Sequence, residues 1–161
     1  MTTTAYYSFH HKNDDHRVRL VHEIDTVTGQ PLLEKQEWDR VKAGGNRAVK
    51  EWVDEKMSAS DVVIVLVGGE TAGRHWVRHE IEQAWEDGIP LLGVRIHGLA
   101  GAEGEVGEEG EDPFGRVDGV HGVPLFDPTQ RDEHGEIDSA ATLATLRERL
   151  PEWAGQGVIG A

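Results

Sequence analysis

Continuous apolar runs alternate along the chain with segments in which apolar residues recur at helical spacing. Residues 62–67 are all apolar, which is typical of a strand buried on both faces of a parallel sheet. A helix is predicted at 75–87, because Gly88 and Pro90 follow it as stop signals. The apolar run 91–96 then predicts the next strand.

The same two patterns extend towards the N-terminus. They predict a strand at 4–9, a helix capped by Asp14 or Asp15, an irregular stretch at 31–46, and a second helix that Asn46 caps. Strands that alternate with helices indicate a parallel sheet with right-handed crossovers. We therefore predict an α/β fold, a flavodoxin-like three-layer sandwich whose central parallel sheet has four or five strands.

Residues 98–122 interrupt this pattern. They contain eight glycines and many acidic residues but few large apolar ones, which predicts a long loop outside the core. Beyond them we expect a short strand at 123–126, a helix at 138–150 that ends at Pro151, and a frayed tail at 155–161. The length of 161 residues suits a single domain that includes this insert.

The composition excludes several classes of function. The net charge of −14 argues against a general nucleic-acid surface and against binding to an anionic membrane, but a local group of arginines could still hold a small anion. The absence of cysteine excludes disulfides, thiol catalysis and thiolate metal sites. We see no signal-peptide pattern and no apolar run near the ~20 residues that span a bilayer, so we expect a cytoplasmic protein.

One acidic residue lies where the helical pattern expects an apolar one. Glu80 falls inside the apolar stripe of the predicted helix 75–87, one turn after Trp76 and directly before Ile81. A carboxylate in that position is costly unless it is paired or used. It also follows the buried strand 62–67, and open α/β sheets bind ligands at the carboxyl ends of their strands.

The histidines next to this carboxylate raise the question of a metal. His75 and His79 are four residues apart, a spacing that can bind zinc. Glu80, however, projects about 100° away from His79 around the helix, and no third ligand is evident nearby. We therefore expect no metal. The glycines around Gly68 form neither a dinucleotide-binding nor a P-loop pattern.

Three stretches of the sequence together resemble a TIR-type domain. They are the strand end Tyr7-Ser8-Phe9-His10, the apolar strand that leads into a glycine-rich loop, and the pair Trp76 and Glu80. The resemblance is greatest to the TIR-like proteins of the bacterial Thoeris anti-phage system. The motifs that carry it are Ser8-Phe9-His10, Arg74-x-Trp76-Val77-Arg78-x-Glu80-Ile81 and Asp112-Pro113-Phe114.

The resemblance covers residues 4–97 well and 112–126 loosely. Two features depart from the TIR pattern: no clear second strand precedes the second helix, and the glycine- and acid-rich insert at 98–122 is additional. In enzymatic TIR domains, a tryptophan followed four residues later by glutamate marks the site that cleaves NAD. The resemblance therefore implies an NAD glycohydrolase or cyclase that uses NAD as substrate and needs no cofactor.

The resemblance also implies a place in anti-phage defence. The product would be a cyclic or otherwise modified ADP-ribose, and this signal would activate a separate effector protein. We expect the enzyme to associate with itself, since TIR sites are often completed by a neighbouring subunit. Nucleic acids and membranes are not expected partners.

The proposed chemistry assigns roles to seven side chains. Cleavage builds positive charge on the ribose, so a nearby carboxylate is required, and Glu80 is the catalytic candidate. The substrate-binding candidates would wall the ribose, stack on a ring, or contact hydroxyls and phosphates. They are Ser8, Phe9, His10, Arg74, Trp76 and Arg78.

Alternatives remain open at this level. Glu80 could instead pair with neighbours of Arg78 or with Arg95, or keep its carboxylate in water at the edge of the stripe. Trp76 and Phe9 are each compatible with core positions, and the two arginines with solvated helix charges. The chain could be a non-catalytic TIR-type interaction module in which the glutamate is dispensable. It could also be a nucleoside or nucleotide ribosyltransferase of similar fold.

Overall fold

The computed structural model describes residues 3–33 and 35–160, except the side chain of Lys35. The strands are β1 (Thr3–Ser8), β2 (Val27–Gly29), β3 (Val62–Val67), β4 (Leu91–Arg95) and β5 (Leu125–Phe126). The α-helices are α1 (His11–His22), α2 (Lys35–Ala43), α3 (Gly45–Ser58), α4 (His75–Glu86) and α5 (Ser139–Ala154). Short 3₁₀ turns occupy Thr71–Gly73 and Pro113–Arg116.

The five strands form one parallel sheet in the order β2-β1-β3-β4-β5. Successive side chains of a strand point to opposite faces, and β3 shows this directly. Val62, Ile64 and Leu66 pack with α1 and α5, whereas the alternate residues of the strand pack with α3 and α4. The predicted α/β three-layer sandwich with a parallel sheet is therefore confirmed, with five strands.

The strand order places the switch point of the sheet between β1 and β3. The chain leaves β1 into α1 on one face of the sheet and leaves β3 towards α4 on the other. Connections that diverge in this way open a crevice at the carboxyl ends of the two strands, where α/β sheets bind ligands.

The predicted cap of α1 is wrong. The helix begins at His11, and the Asp14 amide already donates to the carbonyl oxygen of His10 at 3.0 Å. Asp14 is instead buried inside the helix, where its carboxylate lies 3.6 Å from the guanidinium of Arg17. The cap predicted at Asn46 is also displaced, because α3 begins at Gly45.

The irregular stretch predicted at 31–46 is wrong for residues 35–43, which form α2, and residue 34 lies outside the described residues. This helix has only nine residues, too few for a clear sequence period, and Trp38 and Val41 pack on the α3 side of the core. The second strand that the sequence did not reveal is β2, three residues at the sheet edge. Both elements depend on tertiary contacts more than on local pattern.

The glycine- and acid-rich insert follows the surface, as predicted, but defined contacts fix it. Arg17 donates to the carbonyl oxygens of Leu99 and Glu105, both at 2.9 Å, and Arg95 donates to that of Gly110 at 2.7 Å. The insert also supplies three buried core residues, Leu99, Phe114 and Val117. The expectation that it lies wholly outside the core is therefore wrong.

Two predictions for the C-terminal region are wrong. Helix α5 does not end at Pro151 but continues to Ala154, because the last turn buries Trp153, which stacks on Phe126 at 4.9 Å. The described part of the tail, 155–160, is not frayed, since the amides of Val158 and Leu91 each donate to the other's carbonyl oxygen, and residue 161 lies outside the described residues. Within the described residues, we find no helix with the length and apolar character needed to cross a membrane.

Candidate functional site

A cavity of about 720 Å³ opens beside the carboxyl end of β1. Its walls come from the residues that follow β1, from α1 and α2, and from the start of α4. The volume lies within the range of sites that bind small molecules and cofactors. The cavity therefore occupies the crevice that the strand order predicts.

Glu80 lies in the wall of this cavity with only 5% of its surface exposed. Tyr6 and Ser8 are two residues apart on β1, so both side chains face the same layer as α4. The Ser8 hydroxyl donates to Oε1 of Glu80 at 2.7 Å, and the Tyr6 hydroxyl donates to Oε2. Each carboxylate oxygen thus has one hydroxyl donor.

Glu80 has no cationic partner among the described residues. Arg95, which the sequence allowed as a partner, contacts Glu109 and the carbonyl oxygen of Gly110 instead. Burial raises the pKa of Glu80 to about 7, and the hydrogen bonds from Tyr6 and Ser8 oppose that rise. A carboxyl group that titrates near neutral pH beside a cavity is a common property of functional sites.

The structure brings most of the predicted site residues together. Five of the seven line the cavity: Phe9, His10, Arg74, Trp76 and Glu80. Ser8 is buried and reaches the site through its hydrogen bond to Glu80. Arg78, half-buried on α4, does not belong to the lining.

His10 is buried against the cavity without a polar partner. It is 6% exposed, and neither ring nitrogen has a hydrogen-bond partner among the described residues. Burial lowers its pKa, and the nearby charge of Arg74 lowers it further. The neutral ring therefore has one donor and one acceptor that a ligand can satisfy.

Trp76 forms part of the wall next to Glu80. Its ring contacts the rings of His75 and His79 edge-on, at centroid distances of 5.3 and 5.2 Å. These two histidines, which raised the zinc question, thus flank the indole. Residues 3–33 and 35–160 contain no group of three side chains arranged to hold a metal ion.

A second group of aromatic side chains, not predicted from the sequence, lies beside the cavity. His11 packs on Phe9 at 4.2 Å and stacks on Trp38 at 5.0 Å, with their planes 7° apart, and Trp38 meets Trp52 edge-on. Tyr6 was not predicted as a site residue either, although the two-residue spacing from Ser8 places both on one face of the strand.

The charge of the cavity lining differs from that of the whole chain. Its four basic side chains are Lys12, Arg19, Lys42 and Arg74, against the carboxylates of Asp15, Asp39 and Glu80. The chain as a whole carries a net charge of −14. Lys12 and Arg74 form no ion pair with the described residues, so both remain available to an anionic ligand.

A family model and a relative of known name match this chain. The family model described as "Thoeris protein ThsB, TIR-like domain" matches residues 6–101. A relative from Bacillus cereus (strain MSX-D12), named "Putative cyclic ADP-D-ribose synthase ThsB1", is 27% identical over 119 residues. The alignment covers 71% of this chain and 62% of the relative, so the chain spans less than two thirds of that protein.

The family match includes β3, α4 and the end of β1 from Tyr6 to Ser8, so it covers Tyr6, Ser8 and Glu80. It covers more than half of the chain and extends into the start of the glycine- and acid-rich insert. The parallel five-stranded sheet agrees with the fold expected of such domains. The chain belongs to the family of TIR-like domains of the Thoeris protein ThsB.

Proposed function

We propose that the protein cleaves NAD between nicotinamide and ribose and releases a cyclic or otherwise modified ADP-ribose. The observation that carries this proposal is the buried carboxylate of Glu80, held by two hydroxyl groups at the wall of a cavity that can hold a small molecule. The printed name of the Bacillus cereus relative assigns it the synthesis of cyclic ADP-D-ribose, which favours the same product class.

Cleavage of NAD requires one carboxylate and no general acid. The bond between the ribose C1′ and the pyridinium nitrogen breaks, and its electron pair returns to that nitrogen. Nicotinamide leaves neutral, so no proton has to be delivered. Positive charge develops on the ribose, and ionised Glu80 stabilises it from the cavity wall. A nitrogen of the adenine ring can then bond to C1′ and close the cycle, or water can attack instead.

The remaining lining suits the other parts of the substrate. Lys12 and Arg74, which have no ion pair with described residues, are available to the pyrophosphate. The unpartnered ring nitrogens of His10 can bind a hydroxyl or a phosphate oxygen. Trp76 walls the ribose and excludes water, which favours internal attack over hydrolysis.

The cyclic or modified ADP-ribose acts as a signal to a separate effector protein in anti-phage defence. In this proposal NAD is the substrate, no cofactor takes part, and the protein associates with itself. A non-catalytic interaction module would be favoured by an apolar patch near residues 36–46. The exposed large apolar side chains of the described chain are Val106 and Ile159, both outside that region.

The test compares wild type with Glu80→Gln, and with Glu82→Gln as a matched control. Glu82 lies on the same helix but is exposed, so this control makes the same charge change away from the cavity. Cells that express each protein are infected with phage, and their nucleotides are measured by mass spectrometry. We expect NAD loss and a new ADP-ribose derivative in cells with wild type or Glu82→Gln. We expect neither in cells with Glu80→Gln. Equal NAD loss with Glu80→Gln, or none with wild type, contradicts the proposal.

The same variants are incubated in purified form with NAD, nicotinamide mononucleotide, nucleosides and nucleotides. Preferential release of nicotinamide from NAD is expected. Transfer between nucleosides without cleavage of NAD would identify a ribosyltransferase instead.

A further inference from the structure

Strand β1 presents two adjacent tyrosines to opposite faces of the sheet. Tyr6 is 3% exposed and faces α3 and α4, whereas Tyr7 is 1% exposed and faces α1 and α5. The Tyr6 hydroxyl donates to Oε2 of Glu80. The Tyr7 hydroxyl has no hydrogen-bond partner in the described part of the chain. The two phenols are chemically identical, yet only the first reaches the site.

We propose that Tyr6 is a positioning residue for the NAD cleavage proposed above, because its hydroxyl orients the Glu80 carboxylate and favours its ionised form. The part of this inference that concerns the reaction rests on the proposed function. The hold of Tyr6 on the carboxylate can be tested without any substrate.

The geometry explains the orientation. Ser8 donates to Oε1 and Tyr6 to Oε2, so rotation of the carboxylate about its terminal bond would break both hydrogen bonds. The Tyr6 ring is buried and lines the cavity, which leaves its hydroxyl little freedom to move. Loss of this donor leaves one oxygen of a buried carboxylate without a hydrogen bond, the costly arrangement for an ionised group.

The electrostatic effect of Tyr6 also favours the ionised carboxylate of Glu80. Hydrogen bonds to the charged form of a carboxyl group favour that form, and the bond from Tyr6 lowers the pKa of Glu80 against the effect of burial. Tyr6 itself stays protonated, because burial and then the charge of Glu80 raise its pKa well above the ordinary value. It therefore remains a donor across the working pH range.

Other charged and titratable groups surround the pair and bear on any pH profile. Asp54 of α3 acts on Tyr6, and the remaining groups line the cavity from the end of β1 and from α1, α2 and the start of α4. They are His10, His11, Lys12, Asp15, Arg19, Asp39, Lys42, Arg74 and His75. All of them are common to wild type and to the variants, so a difference between the proteins reports on the hydroxyl alone.

The test uses Tyr6→Phe, which removes one oxygen, and Tyr7→Phe as its matched control. The first readout is the titration of the Glu80 carboxyl carbon by NMR in the full chain without substrate, assigned with Glu80→Gln. We expect the midpoint in Tyr6→Phe to rise by about one pH unit, with no change in Tyr7→Phe. The second readout is cleavage of NAD against pH. We expect kcat to fall about tenfold and the acidic limb to move by the same shift.

Equal NMR midpoints in wild type and Tyr6→Phe overturn the inference, and so does an equal shift in both tyrosine variants. If Tyr6→Phe does not fold, as judged by circular dichroism, Tyr6→3,5-difluorotyrosine replaces it. That stronger donor is expected to lower the midpoint, and an unchanged midpoint overturns the inference as well. A shifted midpoint in a protein that leaves NAD intact contradicts the proposed function but supports the hold of Tyr6 on Glu80.

Discussion

The Oγ atom of Ser8 lies 2.7 Å from Oε1 of Glu80, although 72 positions separate the two residues in the sequence. Ser8 ends β1, and Glu80 lies on α4, which follows the neighbouring strand β3. The contact holds a carboxylate inside the protein without a neighbouring cation among the described residues. This arrangement makes the stability of the fold depend on pH.

Glu80→Gln is expected to change the pH dependence of stability. The unfolded chain releases this proton near the ordinary pKa of 4.5, whereas the folded protein releases it near a pKa of about 7. Between these values the folded state binds more protons, so stability falls as the pH rises through this window. Glutamine does not titrate. We expect the variant to gain up to about 3 kcal/mol over wild type between pH 4.5 and 8.

Urea unfolding at a series of pH values measures this difference. Glu82→Gln serves as the control, because Glu82 is exposed on the same helix and its removal is expected to leave the profile unchanged. A constant offset between wild type and Glu80→Gln across the whole pH range would show that Glu80 does not titrate within this window.

The two arginines of the sequence motif are expected to differ in their effect on substrate binding. Arg74 lines the cavity and has no ion pair with described residues, whereas Arg78, four positions later, is outside the lining. If the cavity binds the pyrophosphate of NAD, Arg74→Ala removes a charge-assisted contact. We expect its KM to rise about tenfold, the equivalent of ~1.4 kcal/mol, while that of Arg78→Ala stays near the wild-type value.

Steady-state kinetics of nicotinamide release give both KM values. The two variants carry the same change of net charge, so a general electrostatic effect would affect them equally. Equal KM values would mean that Arg74 does not contact the substrate from its place in the cavity lining.

Gly68→Ala is expected to destabilise the fold. A Cβ atom at Gly68 would lie 2.2 Å from Oδ2 of Asp14, a buried carboxylate that Arg17 holds from the same helix. Relief of this overlap requires movement of a packed charged pair, so we expect a loss of about 1–3 kcal/mol. Gly73→Ala is the control, because a Cβ atom there would meet nothing within 4 Å and the φ angle of Gly73 is not positive.

Denaturant unfolding of both variants measures the two losses. A near-zero effect of Gly68→Ala would mean that Asp14 and Arg17 can move without cost. A loss as large in Gly73→Ala would instead indicate a general effect of alanine on the flexibility of this loop.

Elements with a strong local pattern were predictable from the sequence. The strand at 62–67 has the predicted bounds, and the helix predicted at 75–87 differs from α4 by one residue. A run of six apolar residues admits few other structures in a soluble chain. Glu80 was identifiable for the same reason, since one acidic residue interrupts an otherwise apolar stripe.

Elements without such a pattern were not predictable. Helix α2 and strand β2 are short, and contacts distant in sequence stabilise them. The insert at 98–122 contains few apolar residues, and the contacts from Arg17 and Arg95 that fix its path come from other parts of the chain. No local feature of the insert reveals those partners.

Periodicity and residue chemistry thus determined the class of fold, the central strand and the acidic residue at its carboxyl end. Only the tertiary structure decided that Tyr6 and Ser8 bind the two oxygens of that residue, and that Arg74 but not Arg78 lines the cavity. The spacing of apolar residues is a property of the local sequence, so it can be read without the tertiary structure. Hydrogen bonds between side chains depend on which strands lie side by side, and that order follows from the packing of the whole sheet.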